Sequence, residues 1–216
     1  MTQLLLIPLD DTVVFPTMDV TLPVDVGDDE RVLLVPRHGS DFAKVGTIAR
    51  VTERVRLPGG GRAVALSGEM RGIAGAARTD QTGQLRVEVE EAADDTPVDG
   101  RTRDLEREYR AVVEEILETR GADERVGAFL RAIAEPGALA DTIGYSPDVS
   151  FEEKVQVLET VDVTERLALA VKLQRARLTE LQVRKRIRED VQSGADQQQV
   201  AHQVHFLCLL TKCEQV

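Results

Sequence analysis

The pattern of apolar and polar positions divides the chain into two parts with different periods. As far as residue 92, apolar residues form short runs separated by Gly, Pro and Asp. Leu4–Leu9 is a continuous apolar run typical of a buried strand, and Leu85–Glu90 alternates between apolar and charged residues. Several such runs at roughly ten-residue spacing predict a compact antiparallel barrel or sandwich. At most one short helix is expected here, around residues 27–34 or 39–45.

Beyond an acidic, turn-rich boundary segment, Asp94–Gly100, the period becomes helical. The first helix is predicted to end at Gly121, and Asp123 is expected to cap the second. That second helix is expected to bury four apolar side chains, Val126, Phe129, Leu130 and Ile133. Pro136-Gly137 is then expected to end a helix, because proline cannot continue one.

Two further helix starts are predicted from the spacing of capping boxes, Ser150 with Glu153 and Asp162 with Glu165. The last helix meets no breaker from Val163 until Ser193-Gly194, which predicts a rod of roughly 40 Å. Its apolar seam has the spacing of a coiled coil and consists of Leu167, Val171, Leu178 and Leu181. We therefore expect the first half of this helix to pack on the other helices and its second half to extend beyond the bundle.

Composition narrows the possible functions. The 216 residues are 42% hydrophobic with a net charge of −11, so most of the surface should repel nucleic acid. The basic residues between Lys172 and Arg188 are the exception, and a solvated helix face is their ordinary interpretation. The sequence contains no run of about 18 or more apolar residues, so no membrane-spanning helix is expected. Its first residues lack the features of a secretory signal. Two cysteines, both near the C-terminal end, fit a reducing cytoplasm.

Two groups of residues, in this order, carry a family resemblance. The first is the run from Pro8 to Pro16, which includes Asp11-Thr12-Val13-Val14-Phe15-Pro16. The second is the series Ala140-Asp141-Thr142-Ile143, Glu152-Glu153-Lys154, Leu158-Glu159 and Glu165-Arg166-Leu167. The Val45–Ala49 strand and the Leu57-Pro58-Gly59-Gly60 hairpin also match. Over residues 3–196 the chain thus resembles the N-terminal domain of the Lon family of ATP-dependent proteases.

The resemblance implies an α+β fold, with a small antiparallel PUA-like β-barrel or sandwich followed by a helical bundle that ends in a long helix. We expect the β-rich part at residues 1–96, the bundle at 101–192, and a divergent, disordered tail at 193–216. It also implies a non-catalytic, cytoplasmic domain that recognises unfolded or degron-bearing proteins and helps Lon ATPase–protease subunits to assemble, without a cofactor. In agreement, the sequence contains no Gly-x-x-x-x-Gly-Lys phosphate loop.

Capture of unfolded chains requires an exposed apolar patch. The candidates are apolar residues at strand ends and turns, namely Leu9, Phe15, Pro16, Met18, Pro23 and Met70. Leu9 and Phe15 could equally be ordinary core residues. Candidate contacts with other subunits or acidic partners lie on the basic part of the last helix, at Arg177, Arg184, Lys185 and Arg188.

Two other functions stay open from the sequence. One is a free-standing adaptor without an ATPase, and the other is an RNA-binding PUA-like protein, which the acidic surface and scarce aromatic residues disfavour. The tail also holds ligand types that zinc accepts, His202, His205, Cys208 and Cys213. Their spacing is not a usual zinc pattern, so no metal site is predicted.

Overall fold

The computed structural model describes residues 2–56, 61–94 and 98–212, with side chains as far as Arg188 and that of Gln192. The hairpin expected at 57–60 lies outside these residues. Seven strands form the first part: β1 (Thr2–Leu9), β2 (Asp19–Leu22), β3 (Arg31–His38), β4 (Asp41–Phe42), β5 (Val45–Arg56), β6 (Arg62–Thr79) and β7 (Leu85–Ala92). Helices follow: α1 (Gly100–Arg120), α2 (Glu124–Ala132), α3 (Pro136–Asp141), a 3-10 helix (Thr142–Tyr145), α4 (Phe151–Glu159) and α5 (Val163–Lys212).

The strands close into a barrel. The pairing order runs β1-β7-β6-β5-β3, and β3 returns to β1, so five strands complete a ring. β2 adds to β6, and β4 forms a hairpin with β3. The predicted antiparallel barrel is therefore present, with one parallel pair, β1 with β3, that the sequence pattern did not indicate.

The prediction of a helix around residues 27–34 or 39–45 is wrong, because these residues form turns and parts of β3, β4 and β5. The apolar run Val32–Val35 is buried throughout, with alternate side chains in two separate clusters. A strand with both faces covered has no polar–apolar alternation, and a short apolar run of this kind cannot be assigned from its period. Gly39, at φ 60°, makes the turn into β4.

The helix boundaries follow local capping signals. Ser150 and Glu153 form the predicted capping box, with the Glu153 N–H donating to Ser150 Oγ over 3.2 Å and the Ser150 N–H donating to Glu153 Oε2 over 2.8 Å. Gly121 ends α1 in the left-handed conformation, φ 64°, as predicted. The prediction that a helix ends at Pro136-Gly137 is wrong. Pro136 instead begins α3, a position where no intrahelical hydrogen bond needs its missing N–H.

The last helix is longer than predicted. α5 continues past Ser193-Gly194, where an end was predicted, to Lys212, so 50 residues make a rod of about 75 Å. A single glycine costs a helix only about 1 kcal/mol, and the residues around it are mostly good helix formers such as Gln and Ala. Leu167, Val171 and Leu178 are buried, so the seam packs on the bundle as expected.

The two parts share one core. A single cluster of buried side chains joins Val13, Phe15 and Val45 from the β-rich part to helical residues such as Leu139 and Ile143. Phe15 is fully buried in it. The barrel and the helices therefore pack directly against each other around this cluster.

Candidate functional site

A buried ionic network lies where the barrel meets the helices. Arg71 on β6 donates two hydrogen bonds to the Asp141 carboxylate at the end of α3, over 2.7 and 2.8 Å, and a third to the Leu158 carbonyl over 2.9 Å. The side chains of Arg71 and Asp141 are 1% and 2% exposed. Arg166 on α5 lies 3.4 Å from Asp141 and pairs with Asp94. These charges hold a strand, a short helix and the long helix in one arrangement.

The junction cleft opens beside this network. Its volume is about 310 Å³, and it is lined by residues of both parts, including Pro16, Met70, Val98, Pro136 and Ala138. The structure therefore brings two of the six predicted substrate-contact residues, Pro16 and Met70, to one place. Both are half-buried.

The other four predicted contact residues do not line this cleft. Leu9 and Phe15 are buried in separate clusters, so the exposed surface expected at these two positions is absent. Met18 is half-buried, and its sulfur accepts a hydrogen bond from the Phe15 N–H over 3.4 Å. Pro23 is exposed. The six residues do not form one surface.

A larger apolar groove lies on the helical part, between α1, α2 and the 3-10 helix. Its volume is about 560 Å³. Tyr109, Ile116 and Leu130 are buried along it, while Val126, Phe129 and Tyr145 are 46%, 54% and 57% exposed. Val126 and Phe129 were expected to be buried, and that expectation is wrong. We call this surface the α1–α2 groove.

Polar bonds fix α2 beside α1. Arg110 on α1 donates to the carbonyls of Leu130 and Ile133, and its bond to Ile133 measures 2.7 Å. Arg131 on α2 pairs with Glu114 on α1 over 2.9 Å. Only Leu130 of α2 is buried. The helix is thus fixed along one side, and its apolar face is left uncovered by the described residues.

Polar groups occupy defined places in the groove. The Tyr109 hydroxyl lies 2.9 Å from Thr142 Oγ1, and burial raises the pKa of Tyr109, so the phenol stays neutral. Arg120 pairs with Asp148. Arg125, on the exposed side of α2, makes no ion pair within residues 2–56, 61–94 and 98–188. The groove is therefore mainly apolar, and the Arg125 guanidinium at its edge is available to pair with a carboxylate.

Comparison with known proteins decides the family. Residues 3–175 match the family described as the ATP-dependent protease La (LON) substrate-binding domain. The chain belongs to the Lon substrate-binding domain family. This confirms the resemblance found in the sequence, and the barrel followed by helices and one long helix is the fold of the Lon N-terminal domain.

Relatives of this Lon domain are full-length proteases. Lon protease of Salinispora arenicola (strain CNS-205) is 34% identical over 210 residues, which cover 92% of this chain and 27% of the relative. Lon protease of Chloroflexus aurantiacus is 35% identical over 217 residues, or 90% of this chain and 26% of the relative. The chain spans about a quarter of the length of these relatives.

Solved Lon structures show the same fold. The N-terminal domain of Mycobacterium avium complex Lon protease superposes with a TM-score of 0.71 at 29% identity, covering 80% of this chain and 98% of that one. A Lon N-terminal domain protein from Xanthomonas campestris gives 0.55 at 17% identity, covering 78% and 96%, which supports the fold alone.

The predicted partner contacts of this Lon domain lie on α5. Arg177 and Arg184 both pair with Glu180, the second over 2.7 Å, and the hydrogen bond from Arg177 lowers the pKa of Glu180. Lys185 and Arg188 are exposed. Two of these four charges are thus already partnered within the helix, which leaves the other two better placed for an outside contact.

No group of three or more His, Cys, Asp or Glu residues suited to a metal occurs among the described residues. The side chains considered as zinc ligands, His202, His205, Cys208 and Cys213, lie outside them. Within the described part, no helix is both long enough and apolar enough to cross a membrane.

Proposed function

We propose that this chain is the non-catalytic, cytoplasmic part of an ATP-dependent Lon protease that captures unfolded or degron-bearing proteins and helps the subunits to assemble. The family match and the relatives support the proposal, since those relatives are Lon proteases and the chain corresponds to about a quarter of each. On this proposal, the ATPase and peptidase chemistry belongs to other parts of the whole protein.

The observation that carries the proposal is the α1–α2 groove. An unfolded protein differs from its folded form chiefly in the apolar side chains it exposes, so a surface that selects unfolded chains must offer apolar area. Val126, Phe129 and Tyr145 provide such area around a cavity of about 560 Å³. Concave apolar surfaces of this size are typical binding sites.

The assembly role rests on α5. Its first half is anchored in the core through residues such as Leu167 and Ala170, and Val183 and Ile187 are 52% and 57% exposed further along. These two apolar residues are one turn apart, beside the exposed Lys185 and Arg188. A helix with this mixture of charges and apolar positions suits contact with helices of other Lon subunits.

The test is binding of a permanently unfolded, fluorescently labelled protein, compared with its folded counterpart, by anisotropy at low and high salt. We expect preferential binding of the unfolded form that survives high salt, because apolar contacts are not screened. Phe129→Ser should weaken it, whereas Phe42→Ser, which removes an aromatic residue 42% exposed on the barrel, should not. Equal binding of both forms, or binding lost with salt, would contradict capture through apolar surface.

A further inference from the structure

The α1–α2 groove carries a more specific inference, which rests on the proposed function. We propose that it binds segments of unfolded protein in which bulky apolar residues lie next to an acidic side chain, and that this carboxylate pairs with Arg125. The ligand is thus an apolar-acidic segment of a polypeptide, and the groove selects it by both shape and charge.

The apolar residues of the proposed ligand are inferred from the side chains that line the α1–α2 groove. Phe129 and Tyr145 are each more than half exposed at the rim, above the buried Tyr109 and Ile116. A volume of about 560 Å³ lies within the range of sites that enclose a ligand of a few hundred daltons, which corresponds to a few residues. Aromatic residues at such a rim supply large contact areas at a small cost in side-chain entropy.

The acidic residue of the proposed ligand is inferred from the position of Arg125. Its position, four residues before Phe129 on α2, places the two side chains on one side of the helix, with Cβ atoms about 5–6 Å apart. A segment that covers Phe129 therefore brings its neighbouring residue within reach of the guanidinium.

Of the two arginines that line the groove, Arg125 is the one whose guanidinium is available to a carboxylate of the ligand. Arg120, the other arginine of the groove, already pairs with Asp148. Arg125 makes no ion pair with the described side chains. Two carboxylates come directly before it in sequence. Glu124 makes no ion pair with Arg125 among the described side chains, and Asp123 accepts a hydrogen bond from the Arg125 backbone N–H over 2.9 Å as the cap of α2. The free guanidinium thus complements a carboxylate on the ligand.

The experiment uses the full chain and labelled ten-residue peptides with an identical apolar core followed by Asp, Asn or Lys. Affinities are measured by anisotropy at low salt for the unchanged chain, Arg125→Glu, Phe129→Ser and the matched control Arg103→Glu. Arg103 is exposed on α1 and does not line the groove. Circular dichroism and urea midpoints confirm that each variant is folded.

We expect the unchanged chain to bind the Asp peptide about two- to five-fold more tightly than the Asn peptide, the strength of an exposed ion pair. Arg125→Glu should make the Lys peptide the tightest ligand, while Arg103→Glu should keep the preference for Asp. Phe129→Ser should weaken every peptide about ten-fold, since large aromatic side chains that a ligand covers often carry much of the binding energy.

Each contrary result has a separate meaning. If Phe129→Ser leaves peptide affinity unchanged, the groove is not the site, and the inference is overturned even where the unfolded protein still binds through another surface. If Arg125→Glu keeps the preference for Asp, the acidic part is overturned. If neither the peptides nor the unfolded protein bind, the proposed function fails together with the inference.

Discussion

Replacing Asp141 with alanine tests the ionic network at the junction. The carboxylate accepts two hydrogen bonds from Arg71, over 2.7 and 2.8 Å, and lies 3.4 Å from Arg166. Both arginines are almost completely buried. Asp141→Ala therefore leaves the Arg71 charge without a carboxylate partner inside the protein, although its bond to the Leu158 carbonyl remains.

The expected loss of unfolding free energy follows from these contacts. Two charge-assisted hydrogen bonds contribute about 1.5–3 kcal/mol each, and breaking a buried pair from one side costs about 3–5 kcal/mol. The retained Leu158 bond places the expected value for Asp141→Ala near the lower end, at about 3 kcal/mol. That is a large fraction of the roughly 5–15 kcal/mol by which domains are stable.

Urea unfolding followed by circular dichroism measures this loss. Asp104→Ala is the matched control, because Asp104 pairs with Arg107 on α1 where both side chains are at least 70% exposed, and should cost less than about 1 kcal/mol. The double replacement Arg71→Met with Asp141→Leu should cost less than Asp141→Ala, since it leaves no buried charge from that pair. Equal losses for Asp141→Ala and Asp104→Ala would refute the reasoning.

Three further predictions concern local structure. Gly137→Ala should cost about 1–3 kcal/mol in urea unfolding, because its Cβ would collide with the Asp94 carboxylate and lie 2.6 Å from Nη2 of Arg166, the partner of Asp94. The pKa of Asp80 is lowered from 3.8 to about 2, first by the Thr82 hydroxyl, so its stabilisation is complete above about pH 4 and is lost as the pH falls through 2. Thr82→Val should raise that pKa in a carboxyl NMR titration. Ser150→Ala should cost about 1 kcal/mol by loss of the capping box.

Matched controls separate these effects from general sensitivity. Gly100→Ala adds a methyl group with nothing within 4 Å and should not destabilise. Ser40→Ala removes an exposed hydroxyl that caps no helix and should change stability by less than about 0.5 kcal/mol. A loss at Gly100 equal to that at Gly137, a loss at Ser40 equal to that at Ser150, or an unchanged Asp80 titration in Thr82→Val would each contradict the corresponding argument.

Features set by residues close in sequence could be predicted. The capping box at Ser150 and the left-handed end of α1 at Gly121 depend on spacing and residue type alone. Leu4–Leu9 was recognisable as a largely buried strand because β1 is covered on both faces. A barrel or sandwich was predicted from the spacing of the strands. The parallel pairing of β1 with β3 was not, because it depends on how the connecting segments route the chain, which a hydrophobic pattern does not encode.

The candidate site depended on contacts that the sequence does not show. An apolar residue on a helix looks the same whether its face meets another helix or remains open, so Val126 and Phe129 were wrongly placed in the core. Arg71 and Asp141 are 70 residues apart, and neither has a neighbour in sequence that indicates the pair. The bonds from Arg110 to the carbonyls of Leu130 and Ile133, which fix the end of α2, follow only from the packing of α1 on α2.

The length of α5 gives small rotations a large mechanical effect. The helix begins among fully buried side chains such as Leu167 and Ala170 and extends about 75 Å as a single element. A tilt of about 5° where α5 leaves the core, after Leu178, displaces Lys212, about 50 Å further along the helix, by about 4 Å. Small changes in packing where α5 leaves the core are thus amplified into ångström-scale displacements at Lys212, as by a lever arm.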